Sequence, residues 1–257
     1  MKRNRLLTIL EEVDKHDTVK ISDLIQKLNV SDMTVRRDLD ELASSGKIIR
    51  LHGGAQSVKS GILYEASHVE KRELHIEEKR MIAQMAAKEI QDGETIFIGP
   101  GTTLEQLASY ITVNHLRVVT NSLPVFERFQ KEKPHIELIL TGGNFRQRSG
   151  AFVGGLTNET IGRLKFNRAF VGVNGIKNES IMTADTEEGQ TQKTALNNAQ
   201  VKYILTDYHK LNKDDFYQFY NLYDIDYLIT NYLVTDEILA HYQQYTEVKV
   251  TDEKNNH

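Results

Sequence analysis

The sequence predicts an α/β fold in two parts: an N-terminal winged helix-turn-helix and a C-terminal domain built on a parallel sheet flanked by helices. Three observations lead there. Residues 31–55, SDMTVRRDLDELASSGKIIRLHGGA, join a favoured N-cap and an apolar stripe at helical spacing to a β-branched run closed by glycines. Just upstream lies a second short amphipathic segment, separated by about the length of a helix-turn-helix connection. From residue 75 onward, short β-rich runs alternate with helical patterns, the rhythm of a parallel sheet covered by helices.

Leu6, Leu7, Leu10 and Val13 form the apolar stripe of a first helix, and Ile21, Leu24, Ile25 and Leu28 that of a second. Asn29-Val30 turns the chain. Ser31 then caps a third helix, in which Val35, Leu39 and Leu42 recur at i, i+4 and i+7 and which Gly46 can end. If three helices close one small core, the opposite face of the third carries Met33, Arg37, Asp40 and Ser44, flanked by Thr34 and Arg36. In such modules the first turn of this helix enters the major groove, where arginine bonds guanine bidentately and a threonine methyl touches that of thymine. Ser31, Met33, Thr34, Arg36 and Arg37 are therefore the expected helix contacts to double-stranded DNA. Lys47–Leu51 reads as a wing strand and His52-Gly53-Gly54 as its turn, which adds Arg50 and His52. A plainer reading makes Arg36 with Asp40 and Arg37 with Glu41 ordinary surface ion pairs at i, i+4. Net charge is no help: ten basic and nine acidic residues through Ala55 leave +1, in a chain of formal net charge −4. The case rests on distribution, since Lys2, Arg3, Arg5, Lys20, Arg36, Arg37, Lys47 and Arg50 can supply phosphate contacts.

With 257 residues and 39% hydrophobic content, the chain has material for one small and one larger core. The expected bounds are 1–57 for the DNA-binding domain, 58–74 for a linker and 75–257 for an effector-sensing domain. The absence of cysteine excludes disulfides, thiolate metal sites and cysteine nucleophiles. The nine histidines are scattered without an i, i+4 pair, so neither a metal nor a cofactor is expected. The basic start Met1–Arg5 precedes an apolar run too short for a signal peptide or a membrane span, so a cytoplasmic protein without a membrane partner is expected. The polar tail from Thr251 to His257 is expected to fray.

In the larger part, strands are expected at 95–98, 117–120, 136–140, 168–173, 202–206 and 227–230, and helices at 76–90, 103–111, 124–131, 157–164, 187–199 and 236–243. Ligands of open α/β sheets bind outside the carboxyl ends of the strands. The loop Gly99-Pro100-Gly101-Thr102-Thr103 follows a strand and opens a helix, so free N–H groups and hydroxyls would face an anion such as phosphate. Alternatively Thr102 and Glu105 form an S/T-x-x-E capping box that satisfies those donors itself. Asn121, Ser122, Gly142 and Gly143, with Arg146 shortly after, end two further strands and suit a polyhydroxylated ligand; Asn121 or Ser122 can equally cap the helix that Pro124 begins. Gly172 and Gly175 mark a similar turn. Lys193, Asp207 and Lys210 supply two ammonium groups and a carboxylate of the kind that bind sugar phosphates, each alone being equally consistent with a solvated surface charge.

The stretches VSDMTVRRDLDEL and HGGA, then IFIGPGTT at 96–103, VVTNSLPVF at 118–126, LTGGNFR at 140–146, ALNNA at 195–199 and LTDYHK at 205–210, occur in this order. On them the chain resembles, nearly end to end, the DeoR family of bacterial transcriptional regulators, and within it the lactose phosphotransferase-system repressors. The resemblance implies an effector domain like the ribose-5-phosphate isomerase fold, turned from catalysis to sensing a phosphorylated sugar. It also implies roles for Lys71 and Lys79 in reading phosphate or coupling the domains. Gly99 and Pro100 stand where the family loop commonly has an aspartate, which argues against isomerase activity and matches the lactose subgroup. The subgroup implies a ketohexose 6-phosphate such as tagatose 6-phosphate.

The rival function is a sugar-phosphate isomerase-like enzyme, with an acid and a base among Asp185, Glu187, Glu188, Lys193 and Asp207. An enzyme has little use for a helix-turn-helix and wing, so no catalytic residue is assigned. The expected mechanism is a homo-oligomer on repeated or palindromic operator half-sites, released when a phosphorylated sugar binds at the sheet edge.

Overall fold

The computed structural model describes residues 2–16, 18–51, 53–58, 65, 67–72 and 74–253. The chain divides into two compact units, Met1–Glu65 and Ala66–His257.

The first unit runs α1 (Lys2–His16), β1 (Thr18–Lys20), α2 (Ile21–Leu28), α3 (Asp32–Ser44), β2 (Ile48–Leu51) and β3 (Gly54–Ser57). Asn29 ends α2 in the left-handed region at φ 51°, a conformation asparagine tolerates, and Ser31 caps α3 by accepting from the Thr34 N–H. The apolar stripes meet in one core, with α1 departing from its expected stripe: Ile9 and Val13, Leu24, and Val35, Leu39 and Leu42 are buried together with Val19, Ile48 and Ala55, Leu6 and Leu10 are partly buried, and Leu7, expected inside, is 51% exposed. The strands form an antiparallel sheet in the order β1-β3-β2, so the wing hairpin is pinned to the short strand between the first two helices. That strand carried too few residues to stand out in the sequence. His52 lies outside the described residues.

The second unit opens with α4 (His68–Arg72) and α5 (Ile76–Ala87), followed by β4 (Thr95–Ile98), α6 (Thr102–Glu105), α7 (Leu107–Tyr110), β5 (Arg117–Thr120), α8 (Leu123–Glu132) and β6 (Glu137–Leu140). A hairpin of β7 (Asn144–Arg146) and β8 (Ala151–Val153) leads to α9 (Gly155–Gly162), β9 (Phe166–Gly172), β10 (Gly175–Lys177), β11 (Ser180–Thr183), α10 (Thr186–Asn197) and β12 (Ala199–Leu205). The chain then forms β13 (Tyr217–Asn221), β14 (Tyr227–Thr230), α11 (Asp236–Tyr242) and β15 (Glu247–Val250). Seven of these strands make one sheet in the order β15-β14-β12-β9-β4-β5-β6, every pair parallel. From β4 the chain winds outward one way through β5 and β6, and from β9 the other way through β12, β14 and β15. The topological switch point therefore lies between β4 and β9.

Period-two alternation divides the strands between two cores. Ile96, Ile98, Val118, Phe170 and Leu205 pack against Ile82, Ala83 and Ala86 of α5 and Phe129 of α8. Phe97, Val119, Val171, Ile204 and Leu228 pack against Ile161, Ala195, Leu196 and Tyr242 on the other face. Three differences from the sequence reading have clear causes. A helix, α4, forms inside the expected linker, where Ser67 and Glu70 bond each other's N–H groups across its first turn. β15 follows the last helix as an extra edge strand, and Thr251, expected in a frayed tail, is buried and donates its N–H to the Thr230 carbonyl at 3.0 Å. The expected helix at 103–111 begins at Thr102 and is interrupted at Gln106 into α6 and α7. Among the described residues, no helix is long and apolar enough to cross a membrane.

Candidate functional site

In the first unit the outward face of α3 is assembled as its spacing requires. Met33 is 81% exposed, Arg36 and Arg37 are exposed, and Thr34 is half-buried with its hydroxyl 2.9 Å from that of Ser31. The expected i, i+4 ion pairs are not the ones formed. Arg36 pairs backward with Asp32, Asp40 is taken by Arg50 at 2.9 Å, and Glu41 by Lys2 at 2.6 Å. Arg37 is thus left without an ion pair among the described residues, a guanidinium exposed on the recognition face.

Two arginines expected at phosphates have other work. Arg5 forms a two-point pair with Asp38, a carboxylate almost wholly buried on the inner side of α3, so it braces α1 against that helix. Arg50 spans from Asp40 to the carbonyls of Leu51 and Gly54, at 2.9 and 2.6 Å, and ties the wing to α3. Nε and Nη1 are held by protein acceptors, so a DNA contact by Arg50 falls to Nη2.

In the second unit the carboxyl edge of the sheet is a row of buried polar residues. Thr120, Thr141, Thr206 and Thr230 are 0–2% exposed, and Asn121, Asp207 and Asn231 follow three of them at 0–2%. Buried polar groups ordinarily find partners. Here Asn121 Oδ1, Asp207 Oδ1, Thr230 Oγ1 and Asn231 Nδ2 have none among the described residues.

At the switch point three lysines converge. Lys79, on α5, is 3% exposed and its ammonium donates to the Lys71 carbonyl. Lys71 donates to Asn174 Oδ1 at 3.1 Å, and Lys210 to the Val173 carbonyl at 2.8 Å, so both reach the residues that follow β9. Burial, then the neighbouring charge of Lys210, pushes the Lys79 ammonium down from 10.5 to about 8, against opposing pulls from Asp207 and Glu105. Thr102 and Thr103 are buried beside this group, at the end of β4. The capping box is not formed. Gly101, at φ 141°, occupies the N-cap position without a side-chain bond, and the buried Glu105 carboxylate turns to His68, with Arg72 at 3.9 Å. The first N–H groups of α6 accordingly have no acceptor of their own in the helix or its cap.

The other expected residues form a second group at the ends of β5 and β6. Asn121 exchanges two bonds with Phe152, its side-chain amide donating at 2.9 Å and its backbone carbonyl accepting at 2.7 Å, and Ser122 is the cap of α8. Arg146 lies between Asp185 at 3.4 Å and Glu188 at 3.3 Å. Asp185 also caps α10. Two of the acids considered for catalysis, Asp185 and Glu188, are thereby held by one guanidinium. Gly142 and Gly143 close the loop after β6: a Cβ on Gly143, at φ 139°, would lie 2.0 Å from Thr157 Oγ1 and 2.7 Å from the Val153 carbonyl. Gly143→Ala should therefore destabilise the protein by about 2 kcal/mol or more, read from denaturant unfolding, because both strain and clash oppose it. An unchanged midpoint would contradict that.

Lys193 is not brought to either group. It is exposed on the last turns of α10 and lines a cleft with Asn197, Lys202 and Gln218. Only its helical placement was readable, and helical phase alone did not fix which end of the sheet it faces. Sequence reasoning missed Asn174 and Asn231, although Thr230-Asn231 repeats the Thr120-Asn121 ending of β5.

The DeoR-like helix-turn-helix domain matches residues 5–61, and the DeoR C terminal sensor domain matches residues 74–232. The lactose phosphotransferase system repressor of Streptococcus mutans is 42% identical over 248 residues, 96% of this chain and 98% of that protein. The protein of the same name from Staphylococcus epidermidis is 43% identical over 231 residues, 90% of this chain and 92% of that one. That of Staphylococcus aureus is 40% identical over 232 residues, again 90% and 92%. Among solved structures, ribose 5-phosphate isomerase A from Methanocaldococcus jannaschii is similar at a TM-score of 0.37 and 16% identity, over 52% of this chain and 54% of that one. With a reader domain, a sensor domain and near-complete alignment to named repressors, the chain belongs to the DeoR family and is a transcriptional regulator rather than an enzyme.

Proposed function

We propose that the protein is a repressor of a sugar-utilisation operon that binds operator DNA through the exposed face of α3 and leaves it when a phosphorylated sugar occupies the carboxyl edge of the large sheet. The observation that carries the ligand class is the convergence of Lys71, Lys79 and Lys210 at the switch point of the sheet. Three ammonium groups, with the opening N–H groups of α6 and the hydroxyls of Thr102 and Thr103, suit a phosphate dianion. Asp207 Oδ1 and Asn121 Oδ1, buried acceptors without partners among the described residues, suit sugar hydroxyls. The finer reading, a ketohexose 6-phosphate such as tagatose 6-phosphate, is what the resemblance to the lactose phosphotransferase-system subgroup implies. Ser31, Met33, Thr34, Arg36 and Arg37 serve the DNA, while Gly101, Asn121, Ser122, Gly142, Gly143 and Arg146 shape the ligand-facing loops.

A homo-oligomer would place two reader units on repeated or palindromic half-sites. Release requires the ligand to bind the DNA-incompetent form better, and a coupling of about 1–3 kcal/mol changes operator affinity roughly 5–150-fold. The test is a thermal-shift screen of hexose and pentose phosphates against their unphosphorylated parents, followed by operator binding with the best hit. Stabilisation by a phosphorylated sugar that also releases operator is the expected result. Equal stabilisation by the parent sugars, or no effect on DNA binding, would refute the reading.

A further inference from the structure

The scattered histidines, which by their spacing promised no metal, are partly gathered by the fold. His75 and Glu78 stand three residues apart at the start of α5, and His209 reaches them from the turn after β12. The two imidazoles stack with centroids 3.7 Å apart at an interplanar angle of 27°, and His75 Nδ1 lies 3.8 Å from Glu78 Oε1. One ligand atom from each of the three residues falls within 4.8 Å of the others. The sequence hid this because the third member is 134 positions from the first.

We propose that His75, Glu78 and His209 bind a divalent first-row transition metal ion of the zinc type, through two imidazole nitrogens and one carboxylate oxygen. The donor set is the borderline one that zinc, cobalt and nickel take, and three protein ligands leave one position for water or another small ligand. Tetrahedral zinc at 2.0–2.2 Å from its donors separates them by roughly 3.3 Å. All three side chains keep contact with solvent, so side-chain rotation can close the remaining gap and fan the imidazoles out of their stack until both lone pairs converge.

A second observation, independent of the donor spacing, concerns the backbone. His75 sits at the N-cap of α5 at φ 53° and ψ 41°, left-handed and without a side-chain cap bond. Histidine, like asparagine and aspartate, is among the residues found more often left-handed, but here its ring makes no cap bond and is turned to His209 and Glu78 instead. The metal would fasten the start of α5 to the turn after β12.

The experiment is titration of zinc chloride into tag-free, chelator-treated full-length protein by calorimetry, with cobalt(II) absorption as a second readout. Wild type should take up one equivalent with micromolar or tighter affinity and give the intense visible bands of tetrahedral cobalt. His209→Ala and His75→Asn should each weaken zinc at least tenfold and abolish those bands. His75→Asn keeps a residue suited to the left-handed backbone, so it separates lost ligation from lost folding. His115→Ala, at an exposed histidine paired with Asp92, should bind like wild type. Absence of a one-equivalent isotherm, or one unchanged in both His75→Asn and His209→Ala, would overturn the site.

Discussion

Lys79→Met should make the ligand-free protein more stable and deaf to its effector. Lys79 is 3% exposed, and burial together with Lys210 holds its ammonium down at about 8, so its charge is kept in place at a cost to the folded state. Methionine retains the aliphatic stem and flexibility while removing that charge, and the Lys71 carbonyl that loses its donor belongs to a half-buried residue within reach of water. The net should be a rise in melting temperature of about 2 °C or more. The same change removes the most desolvated of the three cations available to phosphate, where each charge-assisted bond counts most. Sugar-phosphate affinity should fall at least about tenfold, which corresponds to roughly 1.4 kcal/mol. In an operator-release assay the variant should stay bound at ligand concentrations that free the wild type. Lys210→Met, at a less buried lysine, should show the same loss of response with a smaller gain in stability. A Lys79→Met protein that melts lower and still responds would show that the ammonium is a structural bond to α4 and nothing more.

Opposite signs for stability and response are what a binding site leaves in a fold, and they explain which features could be read from the chain. The helix-turn-helix was legible because its information is local: Val35, Leu39 and Leu42 repeat at helical spacing and Ser31 stands one residue before the helix. The central strands were legible because a parallel sheet buried on both faces makes runs such as Thr-Ile-Phe-Ile and Tyr-Leu-Ile-Thr conspicuous. What escaped was pairing across the fold. Nothing near Arg50 announces that its donors reach back to Gly54 and Asp40, and nothing near Glu105 points to His68 rather than to the helix start. Short strands such as β1, β10 and β13 escaped for a related reason, since three to five residues acquire strand character only from the neighbours they meet. Lys193 shows the cost of reading helical phase without knowing the sheet: its residue type suited the ligand and its direction did not.

The same redistribution of pairs singles out one arginine in the first unit. Spacing alone offers Arg36 and Arg37 as equals, each with an acid four residues on. Once Asp40 is taken by Arg50 and Glu41 by Lys2, Arg36 keeps a partner in Asp32 and Arg37 has none among the described residues. A guanidinium with all five donors available can bond a guanine edge bidentately without first breaking an ion pair. Arg37→Ala should therefore weaken specific operator binding by about 1–3 kcal/mol, roughly 5- to 150-fold, and relax the preference for operator over random duplex. Arg36→Ala should act more weakly and alike on both duplexes, lowering the salt slope by about one, as expected for a phosphate contact. Both changes lie in the first unit and the ligand site in the second, so the thermal shift produced by the effector should match wild type in both. Fluorescence anisotropy on operator and scrambled duplex across a salt series distinguishes the two arginines. Equal losses on both duplexes for Arg37→Ala would make it one more phosphate contact and move sequence readout to other residues of the face, Met33 and Thr34 first.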